Sequence, residues 1–283
     1  MLTVPVSERT PRVVTARKLL RRAGRERAGR FLVEGAQAVR EALVSGRPVR
    51  ELFVTPAAAA RNPDLVDLAA TAGARISEIT DGAAASLSDT VTPQGLVAVC
   101  DLLDVPLAAA LGRAPALVAV LAGIADPGNA GTVTRAADAA GAEAVLFAGD
   151  TVDPHNPKAV RASTGSVFHL PIARDRDAPA VLSACRDAGL MLLAADAHGE
   201  LDLHEPAAAD ALARPAAWIF GGEAHGLPAR VAEQADRRVR VPIYGRAESL
   251  NLAAAAAICL YASAAAQRST ISTSPIHPKV KAR

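Results

Sequence analysis

The sequence predicts an α/β protein, a mostly parallel sheet with helices on both faces, preceded by a smaller N-terminal α/β domain. Three observations carry this. Short apolar runs alternate with helical runs along most of the 283 residues, a length that suits two domains of about 100–200 residues each. Hydrophobic residues make up 51 % of the chain, enough for a substantial core. Unusual polar residues cluster where loops leave apolar strands, the place where open α/β sheets hold ligands.

Residues 1–29 are expected to form a partly helical basic arm. Nine Lys/Arg and two Glu lie between Met1 and Arg30, and Leu19 and Leu20 give the segment a small apolar face. A small α/β domain follows over 30–104. RFLVEG is a strand and AQAVREALVSG a helix closed by Gly46. VRELFVT is the next strand. NPDLVDLAATAG is a helix with Asn62 as N-cap and Pro63 at its first position. ARISEI and GLVAVCDL complete the unit. The proline-bounded DVPLAAALGRAP supplies a linker, 105–115. A second α/β series spans 116–266, with strands expected at 116–124, 144–148, 166–172, 190–195, 216–221 and 238–243, and a last helix from about Leu250 to Ala266. The polar, Pro/Ser-rich end, 267–283, is expected to be disordered.

The totals exclude several classes. Aromatics are only 3 %, too few for rows of rings that stack single-stranded nucleic acid. The net charge of +2 is uninformative as a total, but seven of the sixteen residues in Thr15–Arg30 are basic, which suits RNA phosphates. Cys100, Cys185 and Cys259 lack CxxC or ligand spacing, and the histidines lack zinc spacing, so buried thiols and no metal are expected. MLTVPVSERT has no apolar signal core, and the longest apolar stretch is shorter than a membrane span. The reading is a cytoplasmic protein with no membrane partner. A nicotinamide dehydrogenase lacks its glycine fingerprint here, and a serine hydrolase lacks G-x-S-x-G.

Three strand-end loops stand out in the second series. The first, DPGNAGTVTRAADAAGAEAVLF, has neither GxGxxG nor GxxxxGK[ST], so it does not cradle phosphates. Asn129 reads as a cap before a helix, and Arg135, six positions on, shares the polar face with Thr132. The second, WIFGGEAHGLP, runs from apolar strand into Gly221, Gly222 and Glu223. Its glycines permit close approach of a ligand or a tight turn. The third, VRVPIYGRAESLNLAAAAAICLYA, places Ser249 as a cap and Asn251 in the first turn of a helix with small residues on every face.

Together these stretches resemble the SpoU/TrmH branch of the SPOUT family, RNA ribose 2′-O-methyltransferases. The resemblance rests on NAGTVTR (Asn129–Arg135), GGEAHGL (Gly221–Leu227) and SLN (Ser249–Asn251), and extends to KAVRASTGSVFHLPI (Lys158–Ile172). RFLVEGAQAVREAL after the basic arm resembles the substrate-binding domain of many members, itself like a ribosomal protein. The resemblance implies a trefoil-knotted sheet, an exception to ordinary connectivity, and a homodimer with the Leu250 helix in the contact. It implies S-adenosyl-L-methionine held by Gly221, Gly222, Val241, Ile243 and Leu250. It implies catalysis by Arg135, with Asn129, Ser249 and Asn251 orienting the ribose and Glu223 ordering the network. Arg17, Lys18, Arg21, Arg22, Arg25, Arg30 and Arg161 are the expected RNA contacts. The expected substrate is structured RNA, ribosomal RNA first and transfer RNA second. The alternative is a non-catalytic RNA-binding or ribosome-assembly protein on the same fold.

Overall fold

The computed structural model describes residues 5–112, 114–223 and 226–273, the last four of these by backbone alone. The chain begins with α1 (Pro11–Arg17), a 3-10 turn (Lys18–Leu20) and α2 (Arg22–Ala28). Then come β1 (Arg30–Glu34), α3 (Ala36–Val44), β2 (Val49–Val54), α4 (Pro56–Arg61), α5 (Pro63–Thr71), β3 (Arg75–Glu78), α6 (Asp81–Ser86) and β4 (Leu96–Asp101). The four strands form one sheet in the order β1-β4-β2-β3, with only β2 and β3 parallel.

The expected arm is not an appendage. Val13, Ala16 and Leu19 are buried in one cluster with Leu32, Phe53, Ile79 and Val97 of the sheet. The Val6 N–H donates to the Glu78 carbonyl at 2.9 Å. A helix pair with an apolar face had to bury it somewhere, and the sheet face was adjacent. Asn62 also differs from expectation. Its side chain accepts no capping bond, and its Nδ2 donates instead to the Ala58 carbonyl at 2.9 Å, closing α4.

The expected linker contains α7 (Leu107–Leu111), and the Val105 N–H donates to the Ile172 carbonyl at 2.9 Å. The second series comprises β5 (Leu117–Ala122), α8 (Pro127–Ala140), β6 (Ala144–Ala148), α9 (Pro157–Ser163), β7 (Ile172–Asp175), α10 (Ala178–Asp187), β8 (Met191–Ala195), β9 (Leu201–Asp202), α11 (Ala209–Ala213), β10 (Ala216–Gly221), α12 (Ala229–Ala232), β11 (Arg237–Arg240) and α13 (Leu252–Thr273). The seven strands are all parallel, in the order β7-β6-β5-β10-β8-β11-β9. The strand expected at 166–172 starts only at Ile172. Ser166–Phe168 is a buried 3-10 turn, because Val167 and Phe168 bury against the neighbouring domain rather than pair in a ladder. The last helix runs through Thr273, past the expected start of disorder at 267, and residues 274–283 lie outside the described ones.

The two sheets share a core. Phe31 and Val33 of β1 belong to the same buried cluster as Phe168, Leu117 and Trp218. The Phe31 ring stacks on Phe168 at 6.1 Å and meets His155 edge-on at 4.7 Å. Each fully buried large apolar side chain contributes about 1.5–3 kcal/mol, so this contact holds the domains in a fixed relation. Polar ties reinforce it. Arg25 of α2, 2 % exposed, pairs with Asp153 of the larger domain at 2.6 Å. His169 bridges Asp138 of α8 at 2.7 Å and Glu41 of α3 at 3.2 Å.

Candidate active site

The site lies at the carboxyl ends of β8, β10 and β11, where strand termini leave backbone groups unpaired by the sheet. β10 is buried throughout and runs into Gly221, Gly222 and Glu223. This turn folds back tightly on itself. A Cβ at Gly221 would lie 2.4 Å from the Gly226 carbonyl carbon, so only glycine fits. Between this turn and the chain entering α13 lies a cavity of about 380 Å³. Gly221, Gly222, Val241, Ile243 and Leu250 all line it. Asp196 and Phe220 line it too, and nothing local in the sequence singled them out. Its size falls within the about 300–1,000 Å³ of small-molecule sites, and its apolar walls with backbone polar groups suit an amphipathic ligand carrying a heterocycle.

A polar triad stands at the mouth. Asn129 Nδ2 donates to Glu223, and Asn251 Nδ2 donates to Asn129 Oδ1 at 3.2 Å. These residues come from three loops far apart in sequence. Asn129 does not cap its helix as expected. Asp126 does so, accepting from the Asn129 N–H at 2.8 Å, and Asn129 sits inside the first turn with its side chain free for Glu223. Asn251, not Ser249, caps α13, accepting from the Ala253 N–H at 2.9 Å. Ser249 lines the cavity and makes no hydrogen bond among the described residues.

Arg135 stands apart from its own chain's cavity. It lies further along α8, exposed, and donates from Nη1 to Thr164 Oγ1 at 3.3 Å. Thr164 closes α9 at φ +52°, a left-handed conformation that β-branched residues rarely adopt. No local pattern marks Thr164 in the sequence, because only the fold brings it beneath Arg135.

The expected RNA-binding residues divide by exposure and pairing. Arg17, Lys18 and Arg21 are exposed and line a groove of about 670 Å³ along α1 and α2, together with Arg27. None of these four has an acidic partner among the described residues. Arg27 was missed although it lies in the same basic run. Arg22 pairs with Glu26 at 2.8 Å and Arg30 with Asp101 at 3.6 Å. Arg25 is no RNA contact, since its guanidinium is buried against Asp153 and the Leu19 and Leu20 carbonyls. Arg161 is committed to Glu34 at 3.3 Å and to Asp89 at 2.5 Å.

The thiols take no part. Burial pushes Cys185 and Cys259 up to about 12, so neither is a thiolate at neutral pH.

Comparison with known proteins follows the same division of the chain. The model of the SpoU rRNA Methylase family matches residues 116–261, and that of the MRM3-like substrate binding domain matches 10–98, which takes in most of the expected arm. The chain is 32 % identical over 255 residues to the 23S rRNA (guanosine(2553)-2′-O)-methyltransferase RlmP of Bacillus subtilis, covering 90 % of this chain and 96 % of that protein. It is 33 % identical over 274 residues to the 23S rRNA (uridine(2479)-2′-O)-methyltransferase of Streptomyces viridochromogenes, covering 90 % and 93 %. The crystal structure of the SpoU methyltransferase AviRb from Streptomyces viridochromogenes, in complex with the cofactor AdoMet, superposes with a TM-score of 0.79 at 31 % identity, over 93 % of this chain and all of that one. With the family matched across the whole larger sheet and a relative aligned over nearly its full length, the chain belongs to the SpoU rRNA methylase family.

Proposed function

We propose that this protein methylates a ribose 2′-hydroxyl of ribosomal RNA, using S-adenosyl-L-methionine, in the cytoplasm. The observation that carries the reading is the meeting of Asn129, Glu223 and Asn251 at the mouth of the glycine-walled cavity. A non-catalytic RNA-binding protein has no need of that arrangement. Ribosomal rather than transfer RNA is favoured by the named relatives, two of which act on 23S rRNA.

The cavity residues fit the cofactor. Gly221 and Gly222 let backbone approach an adenine edge, and Val241, Ile243 and Leu250 enclose its apolar parts. When bound, the cofactor supplies an electrophilic methyl group. Glu223 fixes the Asn129 carboxamide, and Asn129 in turn positions Asn251, so the triad presents a preset donor–acceptor pattern to the ribose. Arg135 remains protonated, as arginines in proteins do. Its role is to stabilise the negative charge that develops on the 2′-oxygen and to hold the neighbouring phosphate.

The site is completed in a homodimer. Arg135 does not reach its own chain's cavity, and a stripe of Ala254, Ile258, Tyr261 and Ala265 lies exposed along α13, at helical spacing, beside α8. A second copy seated there brings one chain's Arg135 toward the other's cavity. The trefoil knot that the family resemblance implies would involve the C-terminal segment that carries α13.

Arg135→Ala is expected to abolish methyl transfer to a 23S rRNA transcript while changing S-adenosylmethionine affinity less than about tenfold, or ~1.4 kcal/mol. Calorimetry and a tritium-transfer assay measure the two separately. Near-normal turnover in the variant removes Arg135 from the mechanism.

A further inference from the structure

We propose that the cavity between the two domains beside Arg135 is a nucleobase pocket that reads the base of the target nucleotide. The inference rests on the reading of the chain as an RNA ribose methyltransferase and adds the element that selects the nucleotide.

The cavity holds about 190 Å³ and is walled by both domains. Glu34, Gly35, Gln37 and Gln94 come from the smaller domain, Arg161 and Thr164 from α9 and its end. Thr164 is the residue to which Arg135 donates, so the cavity opens next to the proposed catalytic guanidinium. A base entering here leaves its ribose at Arg135. The volume is below that of sites for drug-sized molecules and suits a single planar ring system.

The wall chemistry selects a base over a phosphate. Arg161 is the one guanidinium in the wall, and it already faces two carboxylates, Glu34 and Asp89. Both carboxylates engage it, so the wall itself offers a phosphate no unpaired cation. Glu34 is itself saturated, accepting from Ser88 at 2.8 Å as well. What remains free are carboxamide groups. Gln37 gives its Nε2 to Glu41 at 2.7 Å, leaving its oxygen unmatched. Gln94 accepts through Oε1 from the Ala36 N–H at 3.4 Å, leaving its NH₂ unmatched. Neither free group has a protein partner among the described residues. Gly35, at φ +98°, keeps the floor open, since a Cβ there would press on the Gln94 carboxamide at 3.1 Å. A free acceptor and a free donor on adjacent walls match the edge of an unstacked base, the mode by which proteins read sequence in RNA loops.

The test uses the full-length protein, saturating S-adenosylmethionine and an unmodified 23S rRNA transcript. The methylated position is mapped first, and transcripts carrying each of the other three bases there are compared in single turnover. The wild type is expected to prefer one base by an order of magnitude or more. Gln37→Ala and Gln94→Ala together are expected to reduce that preference below about threefold, with cofactor affinity and the salt dependence of RNA binding unchanged. Both glutamines are exposed, so the fold tolerates the changes, and Gln94→Asn checks for partial retention. A wild type indifferent to the base, or a double variant that keeps full preference, overturns the pocket while leaving the methyltransferase reading intact. A reduced salt slope with unchanged base preference makes the cavity a phosphate site and also overturns it. Absence of methylation on both 23S rRNA and transfer RNA by the wild type overturns the parent reading and this one with it.

Discussion

Thr164 holds a left-handed backbone at φ +52°, and such a conformation in a β-branched residue costs about 1–3 kcal/mol. Its hydroxyl accepts from Arg135, so the strained residue is the one that fixes the proposed catalytic group. Thr164→Gly is expected to leave thermal stability equal or raise it by up to about 1 kcal/mol, and to slow methyl transfer by about ten- to a hundredfold as the arginine loses its positioning. Calorimetric melts and single-turnover assays check the two halves. Arg25 illustrates the opposite case, a charge that serves the fold alone. With its guanidinium and Asp153 both almost fully buried, Arg25→Ala strips that carboxylate of its nearest cation, leaving Arg174 at 3.3 Å, and is expected to cost about 3 kcal/mol in denaturant melts. Burial pushes Asp153 upward, but the hydrogen bond from His155 and the charge of Arg25 outweigh it, and the carboxyl stays far below its ordinary value. A depressed native value stabilises the fold above the unfolded value near 3.9, and that stability disappears as pH falls below it. The wild type should therefore show an acid-induced destabilisation starting below about pH 4 that Asp153→Asn lacks.

At the level of elements, α1 and α2 combine two jobs that look separable in sequence. Their inner face, Val13, Ala16 and Leu19, is part of a core, while Arg17, Lys18, Arg21 and Arg27 line the outer groove. Deleting the segment would strip that core, so its role in RNA binding is tested by charge alone. Lys18→Gln, Arg21→Gln and Arg27→Gln together are expected to flatten the log–log salt dependence of RNA binding by about two units, at roughly 0.7–0.9 for each phosphate no longer neutralised. An unchanged slope in filter-binding titrations assigns the groove another role. Much of this scale was legible in the sequence. Strands β5, β6, β8 and β10 announced themselves as short apolar runs because a parallel strand covered on both faces is apolar on both. The run at 166–172 failed for the same reason, since apolarity without period does not separate a strand from a buried turn. Asn129, Glu223 and Asn251 could be picked out one by one from their loops. Their mutual hydrogen bonds, the Thr164 contact and the burial of Arg25 could not, because Arg25 and Asp153 are 128 positions apart.

For the whole molecule, the exposed stripe of α13 predicts that the functional unit is a pair of chains. Ile258→Glu places a charge in the middle of the stripe and is expected to give monomers in sedimentation that bind RNA but no longer transfer methyl groups, with the fold intact by circular dichroism. An active wild-type monomer at assay concentration would reject the shared site. Shared burial between the domains carries a related meaning. Because Phe31 and Phe168 stack across the junction, the cavity next to Arg135 keeps its shape, and its position relative to the catalytic arginine is fixed by packing rather than by a hinge.

The order of strands in the large sheet also sets a schedule for synthesis. β5 lies between β6 and β10, pairing Leu117 with Ala216 on its far side. The smaller sheet is complete once β4 has emerged, and β6 follows β5 closely. The other edge of β5, with every side chain buried in the finished protein, must wait for roughly a hundred further residues, about 5–20 s at ordinary elongation rates. Throughout that interval the growing chain carries an open apolar strand edge beside an already folded neighbour. Premature pairing there, with another nascent chain or with a wrong strand of its own, is the hazard built into this topology.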